Sequence, residues 1–231
     1  MRAFWSDPYL WVHAAGLAAL PLCLLVCLLG LAVGDPLLPV WLELGLIAAV
    51  GIAPIVWMQW QKPFYIFSLV AIALKPAQLT DDQRRILTLF KTRRSPIWIG
   101  LGTLLLLVML RQIYYVAPIS AEVTPFALGL RGLGLVVAAI AFLASNLFLQ
   151  VPLSVIRVLL TSEQAFAATE PFAVEQIPQA FSVLGLRVNQ ILPSLLPDEA
   201  TMHTPLVVKE LLSEPIADLP TSSPDNPTTN L

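Results

Sequence analysis

The sequence predicts an all-α membrane protein with four transmembrane helices, a cytoplasmic amphipathic helix and a disordered C-terminal tail. Hydrophobic residues make up 57% of the 231 residues and charged residues only 12%, a balance that does not fit an ordinary water-soluble domain. Four apolar runs are each long enough, as helices, to cross a hydrocarbon core of about 30 Å. The charges are unevenly placed, with a basic connector in the middle of the chain and an acidic region after residue 160.

Residues 1–60 are predicted to form a transmembrane hairpin with helices at 10–33 and 39–60. The sequence Gly34-Asp35-Pro36 between them indicates a tight turn, because glycine frees the backbone and proline ends a helix. The alternative for the first run is a cleaved signal peptide, with a small-residue site at 32–34. The run is, however, longer than the roughly 7 to 15 apolar residues of such a peptide.

Residues 61–95 are predicted to form a basic cytoplasmic loop. Residues 64–74 are apolar but too short to span as a helix, which favours an interfacial or re-entrant segment. Thr80 and Gln83 have the spacing of a capping box, which predicts that an amphipathic helix begins there. That helix either lies on an anionic membrane surface or is a solvated cytoplasmic helix. Its basic patch consists of Arg84, Arg85, Lys91, Arg93 and Arg94.

Residues 96–160 are predicted to form a second transmembrane hairpin, with helices at 97–119 and 126–160. Short loops rich in Lys and Arg stay in the cytoplasm, so both chain termini are expected there as well. Residues 161–196 mix polar and apolar side chains and indicate a small cytoplasmic region. Residues 197–231 contain many Pro, Ser, Thr and Asp but no aromatic residue, and are predicted to be a disordered tail.

Three ionisable residues fall inside the predicted spans at similar depth. Charged groups in hydrocarbon are costly, so each is a candidate functional residue. We expect Glu43 to form an ion pair with Arg111 or Arg131. The alternative is that each side chain reaches separately to the interface while its stem stays in the apolar zone.

The fourth predicted helix carries a polar stripe at spacings of four, four and three residues, which places its members on one face. As a functional site it would be a polar track, or a docking surface for a pigment, a lipid or a partner helix. The structural alternative is interhelical hydrogen bonding, worth about 1 kcal/mol per contact. The stripe consists of Asn146, Gln150, Ser154 and Arg157.

No catalytic residue is predicted, because the sequence has no phosphate-binding, nucleophile-elbow, zinc-protease or paired-cysteine motif. His13 and His203 are too far apart to suggest a metal site, and no cofactor is predicted, with a bound pigment or lipid left open. The formal net charge of −2 excludes the broad basic footprint of a nucleic-acid binder. The expected partners are anionic lipid headgroups and other membrane-protein subunits.

Three stretches of the sequence carry a resemblance to a known family. Residues 4–10 (FWSDPYL), 34–41 (GDPLLPVW) and 141–148 (AFLASNLF) resemble the cyanobacterial low-complexity tail membrane proteins. The resemblance covers most of residues 1–195 and implies a cyanobacterial membrane, either thylakoid or plasma. It brings no established activity with it.

The expected function is therefore that of a non-enzymatic accessory or assembly protein of a membrane complex, such as a photosynthetic one. The alternative is a small oligomeric transporter or channel component whose polar track includes Glu43, Asn146 and Gln150.

Overall fold

The computed structural model describes residues 3–69, 72–92, 96–125, 129–183 and 185–192. The predicted tail at 197–231 lies outside the described residues, as do Arg93 and Arg94 of the predicted basic patch and the first residues of the predicted helix 126–160.

Four helical spans are long and apolar enough to cross a membrane, which confirms the predicted four-helix membrane fold. They are Pro8–Leu31, Val40–Gln61, Ile97–Ser120 and Arg131–Leu159, with mean hydropathy of 2.5, 2.0, 1.7 and 2.2. The fourth begins later than predicted, at Arg131. Short connections make the first and second spans, and the third and fourth spans, antiparallel pairs.

Eight α-helices and three short strands make up the described regular structure, apart from short 3-10 turns. The helices are α1 (Pro8–Ala15), α2 (Leu20–Leu31), α3 (Val40–Gln61), α4 (Asp81–Thr92), α5 (Pro96–Val116), α6 (Arg131–Leu159), α7 (Glu163–Ala167) and α8 (Ile177–Ala180). The strands are β1 (Ser68–Leu69), β2 (Ile72–Leu74) and β3 (Leu186–Val188). A 3-10 turn joins α1 to α2 within the first span, and another extends α5 within the third.

Helix α6 is the centre of the bundle, and it packs most extensively against α2 and α3. The close approach to α2 depends on two glycines, Gly30 and Gly134. A Cβ atom on Gly30 would lie 2.7 Å from the carbonyl oxygen of Gly134, so a larger residue would push the two helices apart. Helix α5 lies at the edge of the bundle and exposes many apolar side chains.

The bundle has two different ends. At the loop end, α2 stops and α6 starts. At the basic end, α3 stops and α5 starts. A small folded part, here called the basic-end unit, consists of the 3-10 turn Ala3–Ser6 and the described residues of 62–92 and 161–188. Its strands β1 and β2 are antiparallel, and β3 adds to β2 in parallel.

The described residues of 64–74 fold into the basic-end unit, whereas their length suggested an interfacial or re-entrant segment. Tyr65, Ile66 and Phe67 are fully buried inside the basic-end unit, and β1 and β2 follow them directly. Ser182 donates its backbone N–H to the carbonyl of Pro63 at 2.9 Å. Tyr65 is covered in part by Phe181, which follows the fourth span in the chain.

Helix α4 also packs on protein. The capping box is confirmed, because the Gln83 backbone N–H donates to Thr80 Oγ1 at 3.3 Å and the Thr80 N–H donates to Gln83 Oε1 at 3.2 Å. The apolar face of the helix, including Ile86 and Leu87, is buried and contacts α6, α7 and the 3-10 turn at the N-terminus. That face is therefore unavailable to a membrane surface, which disfavours the surface-bound helix that was one of the two alternatives.

Candidate functional site

A buried ion pair links the second and fourth spans at the loop end. Arg131 Nη2 is paired with Glu43 Oε2, and Arg131 Nε donates to Glu43 Oε1 at 3.4 Å. The side chains are 0% exposed at Glu43 and 5% at Arg131. The two charges thus neutralise each other where the surroundings could not solvate either one alone.

Groups from the other two spans complete this cluster. The hydroxyl of Tyr114 donates to Glu43 Oε2 at 2.8 Å, which brings in the third span. Arg131 Nη1 donates to the carbonyl oxygens of Leu31 at 2.5 Å and Val33 at 3.1 Å. These carbonyls lie at the end of α2, where a helix leaves acceptors without intrahelical partners. The cluster therefore joins all four spans at one end.

The same carboxylate shapes the turn between α2 and α3. Glu43 Oε1 accepts the backbone N–H groups of Leu37 at 3.0 Å and Leu38 at 3.4 Å. Gly34, at the start of this connection, has a φ of 60°, which glycine adopts without the steric cost that a Cβ brings. The turn is thus held both by its own backbone and by the buried charge.

The structure brings together Glu43 and Arg131 from the three predicted intramembrane charges. Arg111 is exposed on α5, with its guanidinium carbon 5.0 Å from the centre of the Tyr115 ring. Tyr114 was not among the candidate site residues predicted from the sequence. Tyr114 lies only about 60° around α5 from Arg111, yet its side chain is buried against the bundle, a difference that the sequence pattern alone did not reveal.

Two residues of the polar stripe connect α6 to different neighbours. Asn146 Nδ2 donates to the carbonyl of Gly51 in α3 at 3.0 Å. Gln150 Nε2 donates to the carbonyl of Ile99 at 3.2 Å and to Thr103 Oγ1 at 3.3 Å, both in α5. Asn146 and Gln150 are almost fully buried. These contacts are the interhelical hydrogen bonds that the sequence offered as the alternative to a polar track or docking surface.

The rest of the stripe behaves differently. Ser154 donates its hydroxyl to the carbonyl of Gln150 in its own helix at 2.8 Å, so it does not bridge helices. Arg157 is half-buried near the basic end, where its carbonyl accepts the Thr161 hydroxyl at 3.3 Å. The stripe is therefore not a continuous line of polar groups open to one partner.

The described part of the predicted basic patch is largely neutralised by acidic neighbours. Arg84 is paired with Asp81, and Arg85 with Asp82 at 3.0 Å, both within α4. Lys91 is exposed, with its Nζ 5.1 Å from the centre of the Phe172 ring. Lys91 is consequently the described member of the patch that is best placed to meet an anionic ligand.

The loop-end cluster, formed by Glu43, Tyr114 and Arg131, holds the ends of the four spans together. Both oxygens of Glu43 accept hydrogen bonds, and the guanidinium of Arg131 is divided between that carboxylate and the end of α2. Among the described residues, no three His, Cys, Asp or Glu side chains come close enough to hold a metal ion. The cluster therefore fixes helix positions, since its charged groups are occupied by each other.

Comparison with known proteins gives one match. The family model described as low-complexity tail membrane protein-like matches residues 6–193. The chain belongs to this family. The matched part of this low-complexity tail membrane protein-like chain includes the four spans, both members of the buried ion pair and all of the basic-end unit except residues 3–5. The resemblance found in the sequence is confirmed. No curated protein and no solved structure matches the chain.

Membership of this family, together with the four apolar spans, establishes a membrane protein. The family description names no reaction, ligand or partner. What the protein does within the membrane therefore has to be inferred from its surfaces.

Proposed function

We propose that this protein is a non-enzymatic accessory or assembly protein of a membrane complex. The observation that supports this proposal most is that the buried polar groups of the bundle form bonds between its helices. Glu43, Arg131, Asn146 and Gln150 all bond to neighbouring helices. In the described residues they form interhelical contacts in place of a polar path across the membrane. A rigid bundle with an apolar exterior suits a protein that works through its outer faces.

The exterior of α5 is the proposed contact surface. Arg111 lies there among exposed residues that follow one helical face, and a charge facing lipid is costly unless a partner or the interface neutralises it. A neighbouring subunit with a carboxylate at the same depth would satisfy it. The exposed residues of this face are Leu101, Leu104, Leu105, Val108, Gln112 and Tyr115.

The proposed location and orientation follow from charge and family resemblance. Lys62 and Lys75 at the basic end favour the cytoplasmic side, which would place both termini in the cytoplasm. The resemblance to cyanobacterial proteins favours a thylakoid or plasma membrane. Photosystem and dehydrogenase subunits are accordingly the first candidate partners.

Affinity purification in mild detergent, followed by identification of co-eluting subunits, tests the function. We expect membrane subunits in stoichiometric amounts with the native chain. Arg111→Leu should lose them, because it removes the charge without adding a polar group to the lipid-facing helix. Arg187→Leu is the matched control, since Arg187 is exposed in β3, outside the spans, and it should keep them.

Two results would contradict this proposal. A purified homo-oligomer without other subunits would favour the transporter or channel alternative. Partners that remain bound to Arg111→Leu would exclude α5 as the contact surface. Equal accumulation and equal elution volume of both variants would show that a loss of partners does not reflect misfolding.

Orientation has its own test in sealed vesicles of known sidedness. With Cys23 and Cys27 replaced by alanine, single cysteines at Lys75 and at Asp35 would be treated with a membrane-impermeant maleimide. Reaction of Lys75→Cys from the cytoplasmic face and of Asp35→Cys from the opposite face is expected. The reverse pattern would refute cytoplasmic termini.

A further inference from the structure

A groove runs between α3 and α5 on the outside of the bundle, with a volume of about 660 Å³. It opens toward the region that lipid occupies, because Trp60 is 70% exposed and Leu104 58% exposed. Known binding pockets for small ligands have volumes of about 300–1,000 Å³. The lining includes Ile52, Val56, Trp60, Gly100, Leu104 and Leu107.

The groove changes in character along the membrane normal. Lys91 and Trp60 line it at the basic end, and Ile52 and Leu107 line it further in. The distance along α3 from Trp60 to Ile52 is about 12 Å at the rise of an α-helix. One leaflet of a hydrocarbon core of about 30 Å is of similar depth, about 15 Å. Lys91 and Trp60 at one end and aliphatic side chains at the other match the polar headgroup and the apolar acyl chain of a phospholipid.

We propose that this groove binds one anionic phospholipid, with an acyl chain along α3 and α5 and the headgroup phosphate at Lys91. Charge complementarity selects this occupant, since Lys91 is exposed at the mouth. Lys91 also lies beside the Phe172 ring, which leaves its ammonium hydrogens available for a phosphate. The indole N–H of Trp60 supplies a second donor at the headgroup level.

Gly100 makes the proposal testable, because it leaves space where a side chain would stand. A Cβ atom on Gly100 would meet no atom within 4 Å. The substitution Gly100→Phe therefore adds a ring to the groove lining with no clash at its Cβ position. Gly45 in α3 also has open space around its Cβ position and does not line the groove, so Gly45→Phe is the matched control.

The measurement is native mass spectrometry of the delipidated full chain after addition of equal amounts of dioleoyl phosphatidylglycerol and dioleoyl phosphatidylcholine. We expect one retained phosphatidylglycerol, favoured about fivefold over phosphatidylcholine, the factor expected for one basic residue at a membrane surface. Gly100→Phe should reduce retention of both lipids at least about tenfold, since about a dozen buried methylenes each contribute to binding. Gly45→Phe should bind as the native chain does.

Lys91→Gln separates the headgroup contact from the acyl-chain contact. It should abolish the preference for phosphatidylglycerol while retaining phosphatidylcholine, and Phe172→Leu, which leaves Lys91 in place, should keep the preference. Unchanged lipid retention in Gly100→Phe, equal loss in Gly45→Phe, or an unchanged preference in Lys91→Gln would overturn the proposal. A pigment found at this site in the native complex, displaced by Gly100→Phe, would also overturn it.

Discussion

The two ends of the bundle are held together by opposite means. At the loop end, a buried carboxylate, a guanidinium and a phenol join four spans. At the basic end, three distant parts of the chain are joined by aromatic packing and short strands, as in the stacking of Phe4 on Phe166 with ring centres 4.4 Å apart. In lipid there is no hydrophobic force between helices, so packing and polar contacts must fix them. Next to water, apolar burial can do so.

The basic end shows this second mode clearly. Phe181 is almost fully buried and lies against the rings of Tyr65 and Phe172 at 6.4 Å and 5.4 Å between centres. Burial raises the pKa of Tyr65, and its hydroxyl donates to the carbonyl of Leu74 at 3.1 Å. The basic-end unit thus has a buried aromatic core in which the Tyr65 hydroxyl is hydrogen-bonded.

The largest expected effect comes from breaking the loop-end cluster. Glu43→Leu leaves Arg131 as an uncompensated buried charge, so we expect a loss of about 3–5 kcal/mol in the free energy of unfolding. Reversible unfolding in mixed lipid–detergent micelles, followed by circular dichroism, measures it. Glu122, an exposed carboxylate between the third and fourth spans, provides the control, because Glu122→Leu should change little.

The double variant Glu43→Leu with Arg131→Leu sharpens this test. Replacing both members of a buried pair by apolar residues is often close to neutral. We expect it to be more stable than Glu43→Leu alone, although the carbonyls of Leu31 and Val33 lose their donor. A double variant as unstable as the single one would show that the charge pairing itself contributes little.

A smaller effect, confined to the other end, is expected for Phe181→Ala. Removing this buried ring should destabilise the basic-end unit by about 3 kcal/mol while the spans stay folded. Limited proteolysis would show faster cleavage near Arg187 and Lys75, and helical content would remain close to native. Leu186 is 76% exposed, so Leu186→Ala should leave cleavage unchanged. Loss of the whole helical signal would mean that the two ends are not independent.

The next largest loss of stability is expected from breaking the hydrogen bond between the Asn146 side chain and the carbonyl of Gly51. Asn146→Leu removes the hydrogen bond to Gly51, and we expect a loss of about 1 kcal/mol. Part of this loss is offset, because the buried Oδ1 of Asn146 has no hydrogen-bond partner among the described residues. The same unfolding measurement applies. Ser154→Ala should have no measurable effect, since that hydroxyl bonds only to its own helix, and comparable losses in both variants would contradict this view.

The smallest effect is a dependence on pH through Asp7 at the basic end. Burial raises the pKa of this carboxyl above its ordinary value, although Gln83 and the Tyr9 backbone N–H donate to it and oppose the shift. The folded state therefore binds the proton more tightly than the unfolded state. Stability from this group is full below the ordinary pKa and declines as the pH rises through the raised one.

Asp7→Asn isolates that dependence. The variant keeps an oxygen to accept the Tyr9 N–H but has no titrating proton, so its stability relative to the native chain should increase as the pH rises above about 4. Thermal unfolding of both proteins between pH 4 and pH 7 measures the difference. A difference in melting temperature that stays constant over this range would show that the pKa is not raised.

The four spans could be predicted from the sequence because each consists largely of one continuous run of apolar residues. The basic-end unit could not, because its pairings are distant in the chain. Tyr65 and Phe67 belong to a short apolar run, and their burial depends on residues that are distant in the chain, such as Phe181 against Tyr65 and Tyr9 against Phe67. The capping box at Thr80 was predictable, since both of its partners lie within one turn.

The sequence predicted the ion pair only as a choice between two arginines, with separate exposure of each charge at the interface as the alternative. Arg111 and Arg131 have similar depth, and the decision depends on how each helix is rotated about its axis. That rotation is set by contacts such as the approach of Gly30 to Gly134, which a single sequence does not specify. Tyr114 was missed as a partner for the same reason.

The separation of Glu43 from Arg131 along the chain, 88 residues, has a consequence for biogenesis. Ribosomes add about 5–20 residues per second, so the carboxylate is synthesised roughly 4 to 18 s before the guanidinium that neutralises it. During that interval the hairpin of α2 and α3 contains the Glu43 carboxylate without its guanidinium partner. The carbonyls at the end of α2 also lack the donor that Arg131 supplies in the folded protein. The buried ion pair can therefore form only after the fourth span has been synthesised.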